Sequence, residues 1–321
     1  MSTFHRQHFA HLPTPVEAMP RLEAALGGPR LLVKRDDLTG LAFGGNKTRK
    51  LEFLVGEASA RAARTLITAG AAQSNHCRQT AAAAAQAGFD CILVLVGQEP
   101  EQASANLLLD RLLGAGIVWT DKAHRDRVLQ ETCERVSKDG GRPYLIPYGG
   151  SNPTGALGYV FAMQEFMEQG AEADWVVFAS SSGGTQAGLA LGAAMSGYAG
   201  KVLGISVDEP RSELQERVAR LASETAASLK QPHTFQPQDI LVRDEYCAAG
   251  YGVLTEAEKE AIGLFARCEG LLLDPVYTGR AAAGLIDLIR RGFFQKEQTV
   301  LFWHTGGQPA LFAESYRDAL E

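Results

Sequence analysis

The sequence predicts an α/β protein whose sheets are mostly parallel and are covered by helices on both faces. Short apolar runs alternate along the chain with segments whose apolar residues have helical spacing. Glycine-containing loops follow several of the apolar runs, which is typical of strands that lead into helices. Glycine makes up 34 of the 321 residues, or about 11% against a usual ~7%. This excess predicts tight turns or backbone loops that hold a ligand.

The predicted elements follow this alternation from residue 65 onward. Thr65–Ala69 predicts a strand, and the alanine-rich segment Asn75–Ala87 predicts a helix, because alanine is the best helix former. Cys91–Val96 is a continuous apolar run between turns, which predicts a buried strand, and Ala103–Leu113 has helical spacing. Three later runs repeat the strand pattern: Trp175–Ala179, Val202–Val207 and Thr299–His304.

The length and two turn-rich stretches predict the domain organisation. A chain of 321 residues corresponds to about two domains at ~150 residues each. Gly44–Gly45 and Pro147–Gly158 are the candidate boundaries, because both are rich in turn residues. We therefore expect a large domain of residues 1–50 and 158–321, with a small α/β domain of residues 51–157 inserted into it.

Charge and cysteine content argue against several classes of protein. Lys and Arg number 31 and Asp and Glu number 37, and the resulting net charge of −6 argues against nucleic acid as a partner. Five irregularly spaced cysteines without a C-x-x-C motif predict reduced thiols rather than a disulfide scaffold or a zinc ribbon. Neither a signal pattern nor an apolar run of about 18 residues is present, so we expect a cytoplasmic protein without a membrane span.

The segment Gly40–Thr48 (GLAFGGNKT) is a near match to a phosphate-binding P-loop. Asn46 stands between the glycine and the lysine, and this insertion changes which backbone N–H groups converge on a phosphate. A nucleotide-binding protein is therefore a disfavoured alternative. On this segment alone, the simpler interpretation is a glycine turn before a helix that exposes Lys47 and Arg49.

Gln73–Arg78 (QSNHCR) directly follows a predicted strand and begins a predicted helix. Serine and asparagine are ordinary N-cap residues, so part of this pattern is explained by capping. The carboxyl end of a strand in a parallel sheet also faces the ligand crevice. Ser74, Asn75 and His76 would there present a hydroxyl, an amide and an imidazole together.

Ser180–Gly188 (SSSGGTQAG) follows the strand WVVFA and opens a helix. Small residues allow the backbone to approach an anion closely, and a helix N-terminus presents unpaired N–H groups and the positive end of the helix dipole. The segment has no Walker lysine. A small phosphorylated cofactor is therefore the ligand that it fits.

The remaining candidate residues are tyrosines and histidines. Asp274–Arg280 (DPVYTGR) and Ala249–Val253 (AGYGV) each place a tyrosine among turn residues, and Leu301–Ala310 (LFWHTGGQPA) ends a strand in a glycine-rich turn. The histidines at 5, 8 and 11 have a regular spacing but no acidic partner nearby, so we expect no metal site.

A lysine in a glycine loop, a phosphate-binding loop and Ser, Asn and Tyr side chains at loop positions together fit pyridoxal phosphate. This cofactor needs a lysine for its Schiff base, a phosphate cradle, a donor near its phenolic oxygen and a partner for its ring nitrogen.

The motifs also resemble a known family. GLAFGGNKTRKLEFL, QSNHCRQTAAAAA, SSSGGTQAG, EGLLLDPVYTGRAAAGLID and HTGGQPALFA are similar, in this order, to segments of the D-cysteine desulfhydrase / 1-aminocyclopropane-1-carboxylate deaminase family. The similarity covers nearly the whole chain, from Leu12 to Phe312. It implies fold type II of the pyridoxal phosphate enzymes, with two open, mostly parallel α/β domains as in the tryptophan synthase β subunit. It also implies a homodimer and a small amino-acid substrate.

The resemblance implies a role for each matching residue. Lys47 would carry the cofactor and move the Cα proton, with Ser74 assisting, and Asn75 would bind the phenolic oxygen. The implied catalytic residues are Lys47, Ser74, Tyr251 and Tyr277. The implied cofactor-binding residues are Asn46, Lys47, Lys50, Asn75, Ser182, Gly183, Gly184, Thr185 and Thr278. The implied substrate-binding residues are Ser74, Asn75, His76, Tyr251 and Tyr277.

Thr278 discriminates within the family. The deaminases that open the cyclopropane ring carry glutamate here, as in DPVYEG, and that glutamate would favour a protonated ring nitrogen and a strong electron sink. A neutral hydroxyl leaves a weaker sink, which suits elimination of a good β leaving group. We therefore expect β-elimination from a sulfur-bearing amino acid, with D-cysteine converted to pyruvate, sulfide and ammonia. L-Cysteate sulfo-lyase and the deaminase are the alternatives, the latter disfavoured by Thr278.

Overall fold

The computed structural model describes residues 4–320, which form two sheets with helices packed on their faces. The larger sheet has six strands in the order β1-β2-β10-β7-β8-β9. Its strands are β1 Val16–Ala18, β2 Arg30–Lys34, β7 Trp175–Ser180, β8 Lys201–Ser206, β9 Leu241–Arg243 and β10 Thr299–Trp303. Only the pairing of β1 with β2 is antiparallel among these described strands.

The smaller sheet has four parallel strands in the order β5-β4-β3-β6. Its strands are β3 Thr65–Ala71, β4 Asp90–Val96, β5 Gly116–Thr120 and β6 Pro143–Leu145. The central strand β3 is buried at six consecutive residues, as expected for a parallel strand covered on both faces.

Helices connect the strands and cover both sheets. Their bounds are α1 Pro20–Leu26, α2 Asn46–Ala60, α3 Asn75–Ala87, α4 Ala105–Leu112, α5 Arg125–Lys138, α6 Pro153–Glu168, α7 Gly184–Ser196, α8 Arg211–Ser228, α9 Glu256–Glu269, α10 Thr278–Arg290 and α11 Glu314–Leu320. No helix within the described range is long and apolar enough to cross a membrane.

The α/β fold with mostly parallel sheets is confirmed, and the predicted elements lie within two residues of the observed ones. The helix bounds at residues 75 and 87 are the predicted ones. Ser74 caps this helix by accepting from the Cys77 N–H, and Gly88 ends it in the left-handed conformation with φ of 75°. The strands β1, β2, β5, β6 and β9 were not predicted. Strands β1, β6 and β9 have only three residues each, β5 is only half-buried, and β2 has only three consecutive apolar residues between two cations.

The strand membership of the sheets bears on the proposed domain organisation. All four strands of the smaller sheet lie between residues 65 and 145, whereas the larger sheet draws its strands from both flanks. This supports our proposal of an inserted domain. The proposed bounds at 50/51 and 157/158 fall inside α2 and α6, which pack against each other.

Candidate active site

A cleft of about 620 Å³, counting its open mouth, lies at the carboxyl ends of strands from both sheets. Ser74–His76 follow β3, and Thr305–Gly306 follow β10. Ala179 and Ser180 are the last residues of β7, and Ser181 and Ser182 follow them. Ligand sites of parallel α/β sheets form at such strand ends.

The glycine pair before α2 allows the backbone to turn tightly into the cleft. Gly44 and Gly45 have φ of 62° and 119°, where side chains are strained, and a Cβ on Gly44 would overlap the Asp37 carbonyl oxygen. The N–H of Asn46 then donates to the Thr305 carbonyl at 3.0 Å, which ties the start of α2 to the loop after β10.

Among the described residues that line the cleft, Lys47 is the one lysine, and none is an arginine. Its Nζ donates to Asn46 Oδ1 at 3.1 Å, and Asn46 Nδ2 in turn donates to Thr185 Oγ1 at 3.0 Å. Burial lowers the pKa of Lys47 to about 8, with Asp274 opposing the shift and Arg78 adding to it. About a tenth of this amine is therefore neutral and nucleophilic at pH 7, far more than for a lysine with the usual pKa of about 10.4.

The three cationic residues of the sequence NKTRK at the start of α2 lie in three different environments. Lys47 faces the cleft, whereas Arg49 and Lys50 are 2% and 1% exposed. The interpretation of Arg49 as an exposed residue is therefore wrong. It is enclosed by Asp36 and Glu165, which accept from its guanidinium at 2.8 to 2.9 Å.

Lys50 lies beside the loop that was predicted to hold a phosphate, since a Cβ on Gly184 would be 3.0 Å from its Nζ. Its Nζ donates to the Gly149 carbonyl at 3.1 Å and to Ser151 Oγ at 3.3 Å. Burial, with a further contribution from Lys47, lowers the pKa of Lys50 well below its usual value. No carboxylate of the described chain forms an ion pair with it. An anion bound beside this buried amine would stabilise its charged form, which burial otherwise disfavours.

The serine–glycine loop between β7 and α7 forms a cradle for such an anion. Gly183 has φ of 87°, which turns the chain into the first turn of α7. Ser151 Oγ lies 2.8 Å from Ser182 Oγ and accepts from the Gly184 N–H at 3.1 Å. A Cβ on Gly184 would lie 2.5 Å from Ser151 Oγ and 3.0 Å from Lys50 Nζ. The cradle therefore needs glycine here, and its N–H groups, hydroxyls and amine suit a phosphate.

Ser74 and Asn75 hold the start of α3 against the opposite side of the cleft. Asn75 Oδ1 accepts from Arg78 Nη1 at 3.1 Å and from Asn106 Nδ2 at 2.8 Å. Its Nδ2 therefore faces the other way, where a Cβ on Gly307 would lie 2.8 Å from it. Asn75 can donate one N–H to a group bound in the cleft.

His76 lines the cleft but directs one ring nitrogen into the protein. Its Nε2 lies 2.9 Å from Thr68 Oγ1, and that hydroxyl donates to the Ile146 carbonyl at 2.9 Å. Its Nδ1 has no hydrogen-bond partner within the described residues. Burial, with the charges of Lys47 and Lys50, lowers the pKa of His76 well below its usual value, so the ring is neutral.

Two tyrosines meet at one side of the cleft. The hydroxyl oxygens of Tyr251 and Tyr277 lie 2.7 Å apart, and their rings pack edge to face at 5.9 Å. Burial is the main cause that raises the pKa of each hydroxyl, so both phenols are protonated at neutral pH. Tyr148, a third tyrosine, lies in the cleft lining beneath the Arg125 guanidinium, 5.2 Å above its ring.

The turn DPVYTG is organised by Asp274. Its Oδ2 accepts from the N–H groups of Val276 and Tyr277 at 3.0 and 2.9 Å, and its Oδ1 accepts from the Thr278 N–H at 2.7 Å. Thr278 Oγ1 also donates to Oδ1 at 2.7 Å. Asp274 thus binds the backbone N–H groups that lead into α10 and fixes the position of Tyr277, which lines the cleft, while Thr278 is fully buried.

Nine of the predicted site residues line the cleft. They are Asn46, Lys47, Ser74, Asn75, His76, Ser182, Gly183, Thr185 and Tyr277. The other four do not line it: Lys50, Gly184, Tyr251 and Thr278. Lys50 donates to the lining residue Gly149, and the Tyr251 hydroxyl lies beside that of Tyr277. Gly184 is linked to Ser182 through Ser151, and Thr278 is linked to Tyr277 through Asp274.

Sequence reasoning missed part of the lining. Tyr148, Gly149 and Ala179 had no predicted role. Ser180 and Ser181 lie in the loop that was predicted to hold a phosphate, and Thr305 and Gly306 lie in the glycine-rich turn after the last predicted strand, but none of these four was named as a site residue. Tyr148 and Gly149 belong to the turn-rich stretch that was interpreted only as a domain boundary. Their aromatic and glycine character within this turn-rich stretch was the available signal.

Comparison with known proteins agrees with this geometry. The family model for "Pyridoxal-phosphate dependent enzyme" matches residues 8–306. A D-cysteine desulfhydrase from Yersinia enterocolitica is 44% identical over 322 aligned residues, covering 98% of this chain and 97% of the relative.

Two solved structures are similar in fold. A homologue of ACC deaminase superposes with a TM-score of 0.91 at 37% identity, covering 99% of this chain and 96% of the other. A hydrogen sulfide-producing enzyme from Fusobacterium nucleatum has a TM-score of 0.66 at 15% identity, covering 94% and 97%, and shows the fold alone.

The fold type II architecture and the use of pyridoxal phosphate are thereby confirmed, and the nucleotide-binding alternative is set aside. Lys47 beside the cradle, and the whole-length match to the desulfhydrase, place the chain among the lyases that use this cofactor. The chain belongs to the D-cysteine desulfhydrase / 1-aminocyclopropane-1-carboxylate deaminase family of pyridoxal-phosphate dependent enzymes.

Proposed function

We propose that this enzyme eliminates the sulfur substituent of D-cysteine and yields pyruvate, sulfide and ammonia. The observation that carries the proposal is the Lys47 amine with its lowered pKa, in a cleft that the phosphate cradle and Tyr277 also line. The identity of 44% with a D-cysteine desulfhydrase supports the choice of substrate and of its D configuration.

The residues that would hold the cofactor fit its groups. The cradle at Ser182–Thr185 and the amine of Lys50 would bind the phosphate, and Asn75 Nδ2 would donate to the phenolic oxygen. Thr278 would face the ring nitrogen as a neutral hydroxyl already engaged with Asp274. When bound, pyridoxal phosphate delocalises the electron pair that is left at Cα when its proton is removed.

Lys47 would take the Cα proton on its Nζ. Its pKa of about 8 lies close to neutral pH, where the same amine can both accept and return a proton. The hydrogen bond from Nζ to Asn46 Oδ1 holds the side chain at the cleft.

The tyrosine pair would serve the leaving sulfur. Because burial raises their pKa values, Tyr251 and Tyr277 keep their protons and donate hydrogen bonds. A hydroxyl of Tyr277, backed at 2.7 Å by that of Tyr251, would stabilise the departing sulfide and supply a proton to it.

The first turn of α3 would bind the substrate carboxylate. Ser74, Asn75 and His76 surround its N-terminal N–H groups, where the helix dipole favours an anion. The cleft lining in the described chain holds no arginine, and Lys47 is its one lysine. A sulfonate side chain would therefore lack a second cationic partner, which favours cysteine over L-cysteate.

The test compares three products from one purified preparation. Sulfide from D-cysteine should exceed both sulfite from L-cysteate and 2-oxobutanoate from 1-aminocyclopropane-1-carboxylate, with L-cysteine as the control for configuration. Dominant 2-oxobutanoate would overturn the argument from Thr278, and dominant sulfite would overturn the argument from the absent arginine. A homodimer stays a prediction from the resemblance, and a cytoplasmic location stays a prediction from the lack of a signal pattern in the sequence.

Replacing Lys50 with methionine tests the phosphate cradle. We expect the Kd for pyridoxal phosphate to rise about 10- to 100-fold, since a hydrogen bond to a charged group contributes about 1.5–3 kcal/mol. The apoenzyme should not lose stability, because burial already disfavours the charged amine in the absence of an anion. Fluorescence titration with the cofactor and thermal unfolding of the apoenzyme measure the two effects. An unchanged Kd would show that Lys50 does not contact the phosphate.

A further inference from the structure

A buried arginine joins the two segments that carry Lys47 and Asn75. Arg78, on α3, is fully buried. Its Nη2 donates to the Gly44 carbonyl at 2.9 Å, in the turn just before Lys47. Its Nη1 donates to Asn75 Oδ1 at 3.1 Å and to Asn106 Oδ1 at 2.8 Å. One guanidinium therefore links the lysine turn to the amide at the start of α3.

Asn106, at the start of α4, completes this arrangement from the opposite side. It is fully buried, and its Nδ2 donates to Asn75 Oδ1 at 2.8 Å and to the Gln73 carbonyl at 2.9 Å. Its Oδ1 accepts from Arg78, so the orientation of the Asn106 amide is unambiguous. Gln73 Oε1 accepts from the Asn106 N–H at 2.9 Å and holds the backbone in place.

These contacts leave Asn75 with a single orientation. Its Oδ1 receives two donors, and an amide turned by 180° would place its N–H₂ group against both of them. The Nδ2 is thereby directed at the cleft beside Gly307, where the absent side chain keeps it uncovered. A local signal cannot provide this, because Asn75 and Asn106 are 31 residues apart.

Burying Arg78 is costly, which indicates that its placement has a use. Within residues 4–320 it forms no ion pair, and its Nε has no hydrogen-bond partner. Burial lowers its pKa to about 10, against the opposing effect of Asp110 and Asp274. Protein interiors seldom keep a guanidinium without a paired carboxylate.

We infer that Arg78 and Asn106 are a pair of positioning residues, which fix the amide of Asn75 as a donor to the cofactor's phenolic oxygen and hold that amide at a set distance from the Lys47 turn. The inference rests on the proposed role of Asn75. It does not depend on which amino acid is the substrate.

The test reads the absorbance of the bound cofactor rather than turnover. A donor to the phenolic oxygen favours its anionic form, so loss of the donor raises the apparent pKa of the cofactor's visible absorption. We expect Asn106→Leu, which changes no charge, to raise this apparent pKa by up to about one unit, the equivalent of one hydrogen bond.

A double-mutant cycle separates positioning from a general structural effect. Asn75→Ala should raise the same apparent pKa, and adding Asn106→Leu to it should cause no further rise, because Asn106 acts through Asn75. Additive shifts, or no shift in a folded Asn106→Leu enzyme that binds the cofactor, would overturn the inference.

Two further variants keep the test decisive. Should Asn106→Leu fail to fold, Arg78→Lys keeps the charge but loses the fork of donors, and it should raise the apparent pKa in the same direction. Leu221→Ala, at a buried position on α8, controls for lost stability and should leave the absorption unchanged. A wild-type enzyme that binds the cofactor but releases no sulfide would contradict the proposed function and leave this readout intact.

Discussion

Replacing Lys47 with alanine is expected to abolish turnover, with kcat falling at least about 10³-fold, since proton transfer alone contributes about 10²–10⁴-fold. Alanine can neither bond to the cofactor aldehyde nor carry the Cα proton. Lys50 cannot take over, because its Nζ is held by Gly149 and Ser151 on the cradle side.

The measurement combines absorbance at about 410–430 nm, where a lysine Schiff base absorbs, with sulfide release. The variant should lose the absorbance even with excess cofactor, while Lys296→Ala, at an exposed site, should keep both signals. Retention of the visible band by the Lys47→Ala protein would show that another amine carries the cofactor.

Replacing Arg49 with methionine is expected to lower the free energy of unfolding by about 3–5 kcal/mol, the usual cost of removing one partner from a buried ion pair. Arg49 and Lys34 are balanced by Asp36 and Glu165, so the cluster of four charges is neutral as a whole. The variant leaves one buried negative charge without a partner. Since α2 also carries Lys47, we expect cofactor affinity to fall as well.

Urea unfolding of the apoenzyme measures the loss. Arg127→Met is the matched control, because Arg127 forms an exposed pair with Glu131 and should cost at most about 0.5 kcal/mol. A loss as small as that of the control would show that the cluster contributes little to stability.

The same cluster predicts the direction of acid sensitivity. Burial alone would raise the pKa values of Asp36 and Glu165, but Arg49 and Lys34, with Tyr159 beside Asp36, together outweigh this effect and hold both pKa values below their usual range. Their contribution to stability is thus complete above the unfolded-state values of about 4 and is lost as the pH falls through the lower folded-state values. The Arg49→Met enzyme should lose less stability over this range than the wild type.

Several parts of the fold could be predicted because their signals are local. The helix beginning at Asn75 is specified by a serine cap, an alanine-rich interior and a closing glycine within fifteen residues. The strand-to-helix junction at the serine–glycine loop could be predicted, since the strand, the loop and the helix start are consecutive in the chain, and its binding of a phosphate stays a prediction. The position of Lys47 in the cleft could also be predicted, because the glycine turn and the start of α2 are adjacent in the chain.

Other features could not be predicted, because they depend on residues far apart in the sequence. Arg49 and Lys50 are indistinguishable from exposed helix cations by sequence, and their burial depends on Glu165 and Gly149, about a hundred residues away. Tyr148 enters the cleft only because the loop after β6 packs beside the cradle.

The sequence by itself determined the fold class, the family and the chemistry that the cofactor requires, because short motifs specify local backbone and reactive groups. Only the tertiary structure decided how these groups are oriented and charged. Asn75 is fixed as a donor by Arg78 and Asn106, and burial brings the pKa of Lys47 to about 8. Both effects arise from packing between distant segments, which removes water and leaves each polar group only the partners that the fold supplies.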